Sequence, residues 1–264
     1  MEILVCVKSV PDTGEEEIEL DGGQLDRDDL TFVVNEWDNY AVEEAIQIAD
    51  KVGGSVTVVT VGDEENEDEC DEVLRREMAM GAGKALHLMD EAFENSDAKG
   101  VATILKSAVE KGNYDLILTG AQADAGYSAV GGMLAAMLDY PYASLVNKIE
   151  AGDGKLVIAR EIEGGNAEMN EIELPCVLSI QTGINEPRYV GIKGIKQVSG
   201  IDIPVLSVDD LDIDGSSVGE DGAKVKRVDY FIPETGEGAE MLEGSDDEII
   251  EKLIEILKAN GGMK

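Results

Sequence analysis

Apolar positions fall into two alternating rhythms along the first 138 residues. Residues 3–7 form a short β-branched run closed by Lys8 and Pro11, the pattern of a buried strand. Val33, Val34 and Asn35 lead into residues 38–52, where Tyr40, Ala41, Ala45, Ile46, Ile48 and Ala49 recur at helical spacing before Gly53-Gly54. Residues 55–61 (SVTVVTV) are continuously apolar or β-branched, as a central parallel strand requires. A helix over 69–80, a strand over 84–89, a helix over 98–111, a strand over 115–119 and a small-residue helix over 128–138 follow. Between the first strand and its helix, residues 15–29 read as a hairpin or loop turning at Asp21-Gly22-Gly23. Strand and helix thus alternate four times. That predicts a parallel, doubly wound α/β sheet with right-handed crossovers.

The rhythm changes after Pro141. Residues 143–150, 155–163, 168–173 and 176–180 look like strands separated by glycine turns, predicting antiparallel strands added to the sheet. Residues 182–200 read as loop. Residues 201–244 have few periodic apolar positions and predict an extended arm. The arm ends in a helix, because Ser245-Asp246-Asp247-Glu248 has capping-box spacing and Ile249, Ile250, Leu253, Ile254, Ile256 and Leu257 form an apolar face. The division expected is residues 1–200 as an α/β nucleotide-binding domain and 201–264 as arm and helix. A helix after so poorly packed an arm needs a surface to lie on, which points to a partner chain.

Composition narrows the function. The 264 residues carry 21 Lys and Arg against 57 Asp and Glu, for a net charge of −36. Such a chain is a poor ligand for a nucleic-acid backbone or an anionic membrane surface. It is not disordered by composition, since 43% of residues are hydrophobic. Acid spread over an ordinary core suits a protein bathed in molar salt, where screening shortens the Debye length to about 3 Å; an ordinary acidic protein is the other reading. Cys6, Cys70 and Cys176 are scattered, odd in number and outside any CxxC spacing, which fits a reducing cytoplasm. The opening MEILVCVKSVPD has no targeting pattern, and no window approaches 18 apolar residues, so membrane insertion is not expected.

In a doubly wound sheet, ligands gather at strand carboxyl ends where the strand order reverses. Those ends are residues 8–12, 61–63 and 120–131. The last, Gly120-Ala-Gln122-Ala-Asp124-Ala-Gly126-Tyr127-Ser128-Ala-Val130-Gly131, is a small-residue loop opening a helix, with Ser128 placed to cap it. Small residues let backbone N–H groups approach a phosphate, and a helix N-terminus favours negative charge. It is neither a Walker loop nor a GxGxxG, so a structural βα loop is an equal reading. Asn35 and Asp38 precede the second element as helix caps or as ligand contacts. His87, the only histidine, lies in a strand pattern and reads as structural. Cys6 and Cys176 read as core. The acid runs over 64–71 and 209–221 lack EF-hand spacing, and no metal site or catalytic residue is indicated.

Five segments in order carry a resemblance to the β subunit of electron transfer flavoprotein, over most of residues 1–200. They are Val5-Cys6-Val7-Lys8 through Pro11-Asp12; Asn35-x-x-Asp38-x-Tyr40-Ala41-x-Glu43-Glu44-Ala45; Thr119-Gly120-Ala121-Gln122-Ala123 with Val130-Gly131; Arg160-Glu161-Ile162-Glu163-Gly164-Gly165 with Leu174-Pro175-Cys176; and Asn185-Glu186-Pro187-Arg188-Tyr189. The resemblance implies an adenine-nucleotide-hydrolase-like fold and a non-catalytic electron carrier that is half of a heterodimer. An α subunit would hold the redox FAD. This chain would hold AMP, or a second FAD in a bifurcating variant that uses NADH. The pocket would be lined by Cys6, Val7, Asn35, Asp38, Val61, Gly62, Gly120, Asp124, Ser128, Ala129, Val130 and Gly131. The loop after Tyr189 would dock dehydrogenases such as those of fatty acid oxidation, with Ile192 as its apolar anchor, and electrons would leave toward a quinone reductase. Glu36 stands where the family's proline falls, and the lysine run after the docking loop is missing. A stand-alone nucleotide-binding protein or nucleotide hydrolase is the alternative from another class.

Overall fold

The computed structural model describes residues 1–14, 18–27, 30–123, 128–152, 154–234, 236 and 238–263. They divide into two compact units: Met1–Glu19 with Leu25–Val228, and Leu20–Gln24 with Asp229–Lys264.

The first unit is an α/β sandwich built on nine strands in one sheet. In chain order these are β1 (Glu2–Cys6), β6 (Ser55–Gly62), β7 (Lys84–Met89), β8 (Leu116–Gly120), β9 (Tyr142–Ala151), β10 (Lys155–Ile162), β11 (Asn166–Glu173), β12 (Cys176–Ile180) and β13 (Val205–Leu206). Two short strands, β2 (Ser9–Pro11) and β5 (Phe32–Val34), pair antiparallel beside it, and β3 (Leu20–Asp21) with β4 (Gln24–Leu25) make a small hairpin. The sheet order is β11-β10-β9-β12-β8-β1-β6-β7-β13. From β9 to β13 every neighbouring pair is parallel; only β9-β10 and β10-β11 are antiparallel. A parallel core with an antiparallel extension is the architecture the hydrophobic rhythm predicts, but β12, expected among the added antiparallel strands, lies inside the sheet parallel to both β8 and β9.

Helices cover both faces. On one lie α1 (Glu36–Val52), α2 (Glu67–Met80) and the short α5 (Ile192–Val198), packed on Ile3, Val5, Val58, Leu116, Leu118 and Leu178. On the other lie α3 (Ala98–Lys111) and α4 (Val130–Leu138), packed on Leu4, Val59, Ile117 and Val177. Alternate strand residues therefore feed opposite layers, which is why the central runs carry no polar face. Chain order goes from β1 outward through β6 and β7, then crosses back to β8 on the far side of β1. The strand order reverses between β1 and β8, and this sets the site.

Two expectations are corrected. The 182–200 segment contains a helix, α5, held against α2. Residues 201–228 belong to the first unit: β13 pairs with β7, Leu211 and Val218 are buried in its core, and α6 (Gly219–Gly222) closes the segment. Asp97 explains the attachment. Its carboxylate caps α3 through Gly100 N (2.9 Å) and also accepts from Lys224 N (2.7 Å) and Val225 N (3.1 Å). Burial pushes this carboxyl up, but those backbone bonds together win and hold it below its ordinary value.

In the second unit, α7 (Asp246–Ala259) is the expected C-terminal helix. Glu248 accepts from both the backbone N–H and the hydroxyl of Ser245, at 2.8 and 2.9 Å. None of the described residues from 229 onward is buried, and Ile250, Leu253, Ile256 and Leu257 are exposed.

Candidate functional site

The reversal of strand order brings the ends of β1 and β8 side by side, and the N-terminus of α1 plugs the gap. Asn35 is held there by its own N–H, which donates to Lys8 O at 2.9 Å. Its side-chain Nδ2 donates across the gap to Gln122 O at 2.9 Å. Asp38 bridges the same gap with its carboxylate: Oδ2 accepts from Lys8 N and Oδ1 from Gly120 N, each at 2.9 Å. Neither side chain caps its helix. Both stitch the two strand ends together instead.

This arrangement is costly and specific. Asp38 is only 5% exposed. Burial drives its carboxyl up to about 7, against the opposing pull of the Asn35 amide, the Gly120 and Lys8 N–H groups and the Lys8 charge. Asn35 is 1% exposed, and among the described residues its Oδ1 has no hydrogen-bond partner. A buried acceptor left unpaired costs about 1–3 kcal/mol. Gly120 is obligatory, because a Cβ there would run into Asp38 Oδ1 and lie 2.7 Å from Trp37 Cβ. Gly131, in the first turn of α4, packs the same way: a Cβ would lie 2.5 Å from Ser179 Oγ and 2.8 Å from Thr119 Oγ1. Helix α4 thereby sits directly on the ends of β8 and β12, over a hydroxyl cluster in which Thr119 and Ser179 lie 2.8 Å apart and Tyr142 reaches Ser179 at 3.0 Å.

The other predicted positions sort around this centre. Cys6 ends β1 half-buried, and burial with the nearby Asp38 charge pushes its thiol far up. Val7 N donates to Val59 O at 2.9 Å, fixing the strand end. Val61 packs in the second core layer, and Gly62 is buried against Asn66 and Cys70. Ser128 is exposed with φ 54°; Ala129 occupies the N-cap position of α4, so the expected Ser128 cap does not form. Val130 opens α4. Asp124 lies outside the described residues. Ile192 stands apart from the cradle, 77% exposed at the start of α5, just after Tyr189 at 91%. His87 is a core residue of β7, and burial lowers its imidazole below the ordinary value. Sequence reasoning missed the Thr119–Ser179–Tyr142 cluster and the cross-gap role of Asp38. The available signal was that Thr119 and Ser179 stand next to last in apolar strands and Tyr142 opens the strand that follows α4.

Among the described residues, no group of His, Cys, Asp and Glu could hold a metal. Among the described residues no helix is long and apolar enough to cross a membrane. The residues do fit an adenine nucleotide: an unpaired buried acceptor at Asn35, close-packed glycines, and a helix N-terminus set over the strand ends.

The fold is that of a doubly wound α/β protein whose strand order reverses between β1 and β8. Residues 22–211 match the electron transfer flavoprotein domain. The chain is 38% identical to the electron transfer flavoprotein subunit beta of Methylophilus methylotrophus, over 97% of this chain and 98% of that protein. It is 37% identical to the subunit beta of Thermoanaerobacterium thermosaccharolyticum, with 98% of each chain covered. It is 33% identical to the Caffeyl-CoA reductase-Etf complex subunit CarD of Acetobacterium woodii, again over 98% of each. The chain belongs to the electron transfer flavoprotein β-subunit family.

Proposed function

We infer that this chain is the nucleotide-holding half of a heterodimeric electron carrier, with an AMP in the β1/β8 cradle and no catalytic residue of its own. The single observation that carries this reading is the Asn35–Asp38 stitch, which leaves one buried acceptor unpaired at the switch point. Asn35 Oδ1 would accept from an exocyclic amine, and the backbone N–H groups at the start of α4 would face the phosphate. Asp38 holds Lys8 and Gly120 in register, so the cradle keeps its shape whether or not it is filled. The α-subunit FAD supplies the redox chemistry. This chain's part is to present a rigid face to that subunit and a docking loop, Tyr189 to Ile192, to the dehydrogenase that delivers electrons. Acyl-CoA dehydrogenases as donors, a quinone reductase as acceptor and a cytoplasmic location complete the reading.

The uncovered apolar side of α7 supports the heterodimer and argues against a chain that works alone. The charge of −36 supports a salt-adapted surface. A second reading puts FAD in the cradle of a bifurcating complex; a relative that is named as a subunit of a reductase–Etf complex favours keeping it. The test is co-expression with the adjacent α-subunit reading frame, followed by extraction of bound nucleotides. One FAD and one AMP per heterodimer supports the carrier. Two FAD selects bifurcation. A chain that purifies from this co-expression without the α subunit overturns both.

A further inference from the structure

Segment 181–188, which leaves β12, is tied to α1 at three successive points. Trp37 Nε1 donates to Gln181 Oε1 at 3.1 Å. Asn185 Nδ2 donates to Tyr40 O at 3.1 Å and to Glu44 Oε2 at 3.0 Å. Arg188 then closes the zip: its N, Nε and Nη2 donate to the Glu43 carboxylate at 3.2, 2.7 and 3.0 Å, and Gln47 steadies that carboxylate from behind at 2.9 Å. Immediately beyond, Tyr189 is 91% and Ile192 77% exposed, while Val190 between them packs against the core. Ile192 opens α5, whose far end is clamped to α2. There Arg75 Nη1 donates to Val198 O (2.9 Å) and Ile201 O (3.0 Å), while Asp71 holds Arg75 at 2.6 and 3.0 Å.

An exposed apolar residue on a loose loop would lose much of its binding energy to ordering. Here both feet of the arch are fixed by guanidinium groups in forked contacts, which specify direction as well as attraction. Glu43 is the expensive member, since it is 4% exposed in an otherwise acid-coated chain. Burial works to raise its carboxyl, and the Arg188 bonds hold it below its ordinary value nonetheless.

We propose that the Glu43–Arg188 fork is a positioning device that preforms the 189–193 arch for docking the redox partner. This rests on the reading of Ile192 as the docking anchor. Glu43 and Arg188 are positioning residues; neither touches the flavin or the nucleotide.

The test uses the purified heterodimer and an acyl-CoA dehydrogenase that reduces the wild-type complex. Glu43→Gln keeps the side-chain shape and removes the charge. Amide exchange over 189–193 should accelerate at least tenfold and the apparent KM for the dehydrogenase should rise about tenfold, with kcat and flavin content within twofold of wild type. Arg188→Lys keeps the charge but loses the fork and should behave the same way; it carries the test if Glu43→Gln fails to assemble. The double variant should be no worse than either single one. Unchanged exchange or unchanged KM overturns the proposal, as does a fall in kcat that tracks lost flavin. Ile192→Ala separates the two ideas. If it leaves KM unchanged, the docking reading fails; if it raises KM while the fork variants do not, only the positioning role fails.

Discussion

The two compact units spend their apolar residues in opposite ways. Residues up to Val228 bury theirs in two layers, with Ile3, Leu4, Leu116, Ile117, Leu118 and Leu178 fully enclosed. The described residues from 229 onward bury none, although α7 carries an apolar stripe and a well-made cap. A helix of 14 residues is marginal on its own, because most helix stability comes from packing the apolar face. The contrast teaches that the first unit is encoded to fold by itself, whereas the second is encoded to be covered. The α subunit is the cover that the proposed function supplies.

The sharpest way to break this contrast is a pair of substitutions. Leu118→Ala should cost the isolated chain about 3–5 kcal/mol in denaturant unfolding, by lost transfer and a residual cavity. Leu253→Ala should cost the isolated chain nothing measurable, yet weaken heterodimer assembly roughly tenfold to a hundredfold in sedimentation or titration calorimetry. Comparable losses of chain stability from both would show that the second unit folds on its own account.

A smaller effect concerns the first unit's own imperfection. Glu77 is fully enclosed on α2; among the described residues neither carboxylate oxygen has a hydrogen bond, and its ion pair is a 3.7 Å contact with Arg76. Burial pushes its carboxyl from 4.5 to about 8, as burial pushes Asp38 from 3.8 to about 7. Both folded values lie above the unfolded ones. The folded state therefore binds more protons between about pH 4 and 8, and stability from these groups falls as pH rises through that window. Glu77→Met should flatten that decline and stabilise the chain at pH 8 by about 1–3 kcal/mol, measured by urea unfolding at pH 5 and pH 8. No change in the pH slope would mean that Glu77 is ionised and stabilised in the folded chain. The smallest effect is on the exposed β10–β11 ladder. Breaking the Lys155–Glu171 pair, 2.7 Å apart and half-exposed, should shift stability by under about 0.5 kcal/mol.

How much of this was legible in the sequence follows from where the determinants lie. The strands and helices through Leu138 were legible because each has an apolar run of the right period and a glycine or proline stop. The C-terminal helix was legible from its cap and face. Helix α5 was not. Its sequence, IKGIKQV, is short and contains Gly194, and what makes it helical is tertiary: Arg75 gathers the carbonyls beyond its end, and Gly194 lies close against Ala79. Residues 201–228 hid for a similar reason. Their buried anchors, Leu211 and Val218, are isolated, and their backbone is held by acids from other elements, Asp90 and Asp97. At the cradle, the positions of Asn35, Asp38, Gly120 and Gly131 were legible from strand ends and a small-residue loop. Their roles were not, since a helix-capping aspartate and a strand-stitching one are the same letter in the same place.

The most direct measurement is a count of nucleotides in the heterodimer, made in parallel on wild type and Asn35→Ala. The account predicts one FAD and one AMP in the wild type, with AMP falling below about a tenth of stoichiometry in the variant and FAD unchanged. Equal AMP in both, or a wild-type complex with no nucleotide beyond the α-subunit FAD, would contradict it.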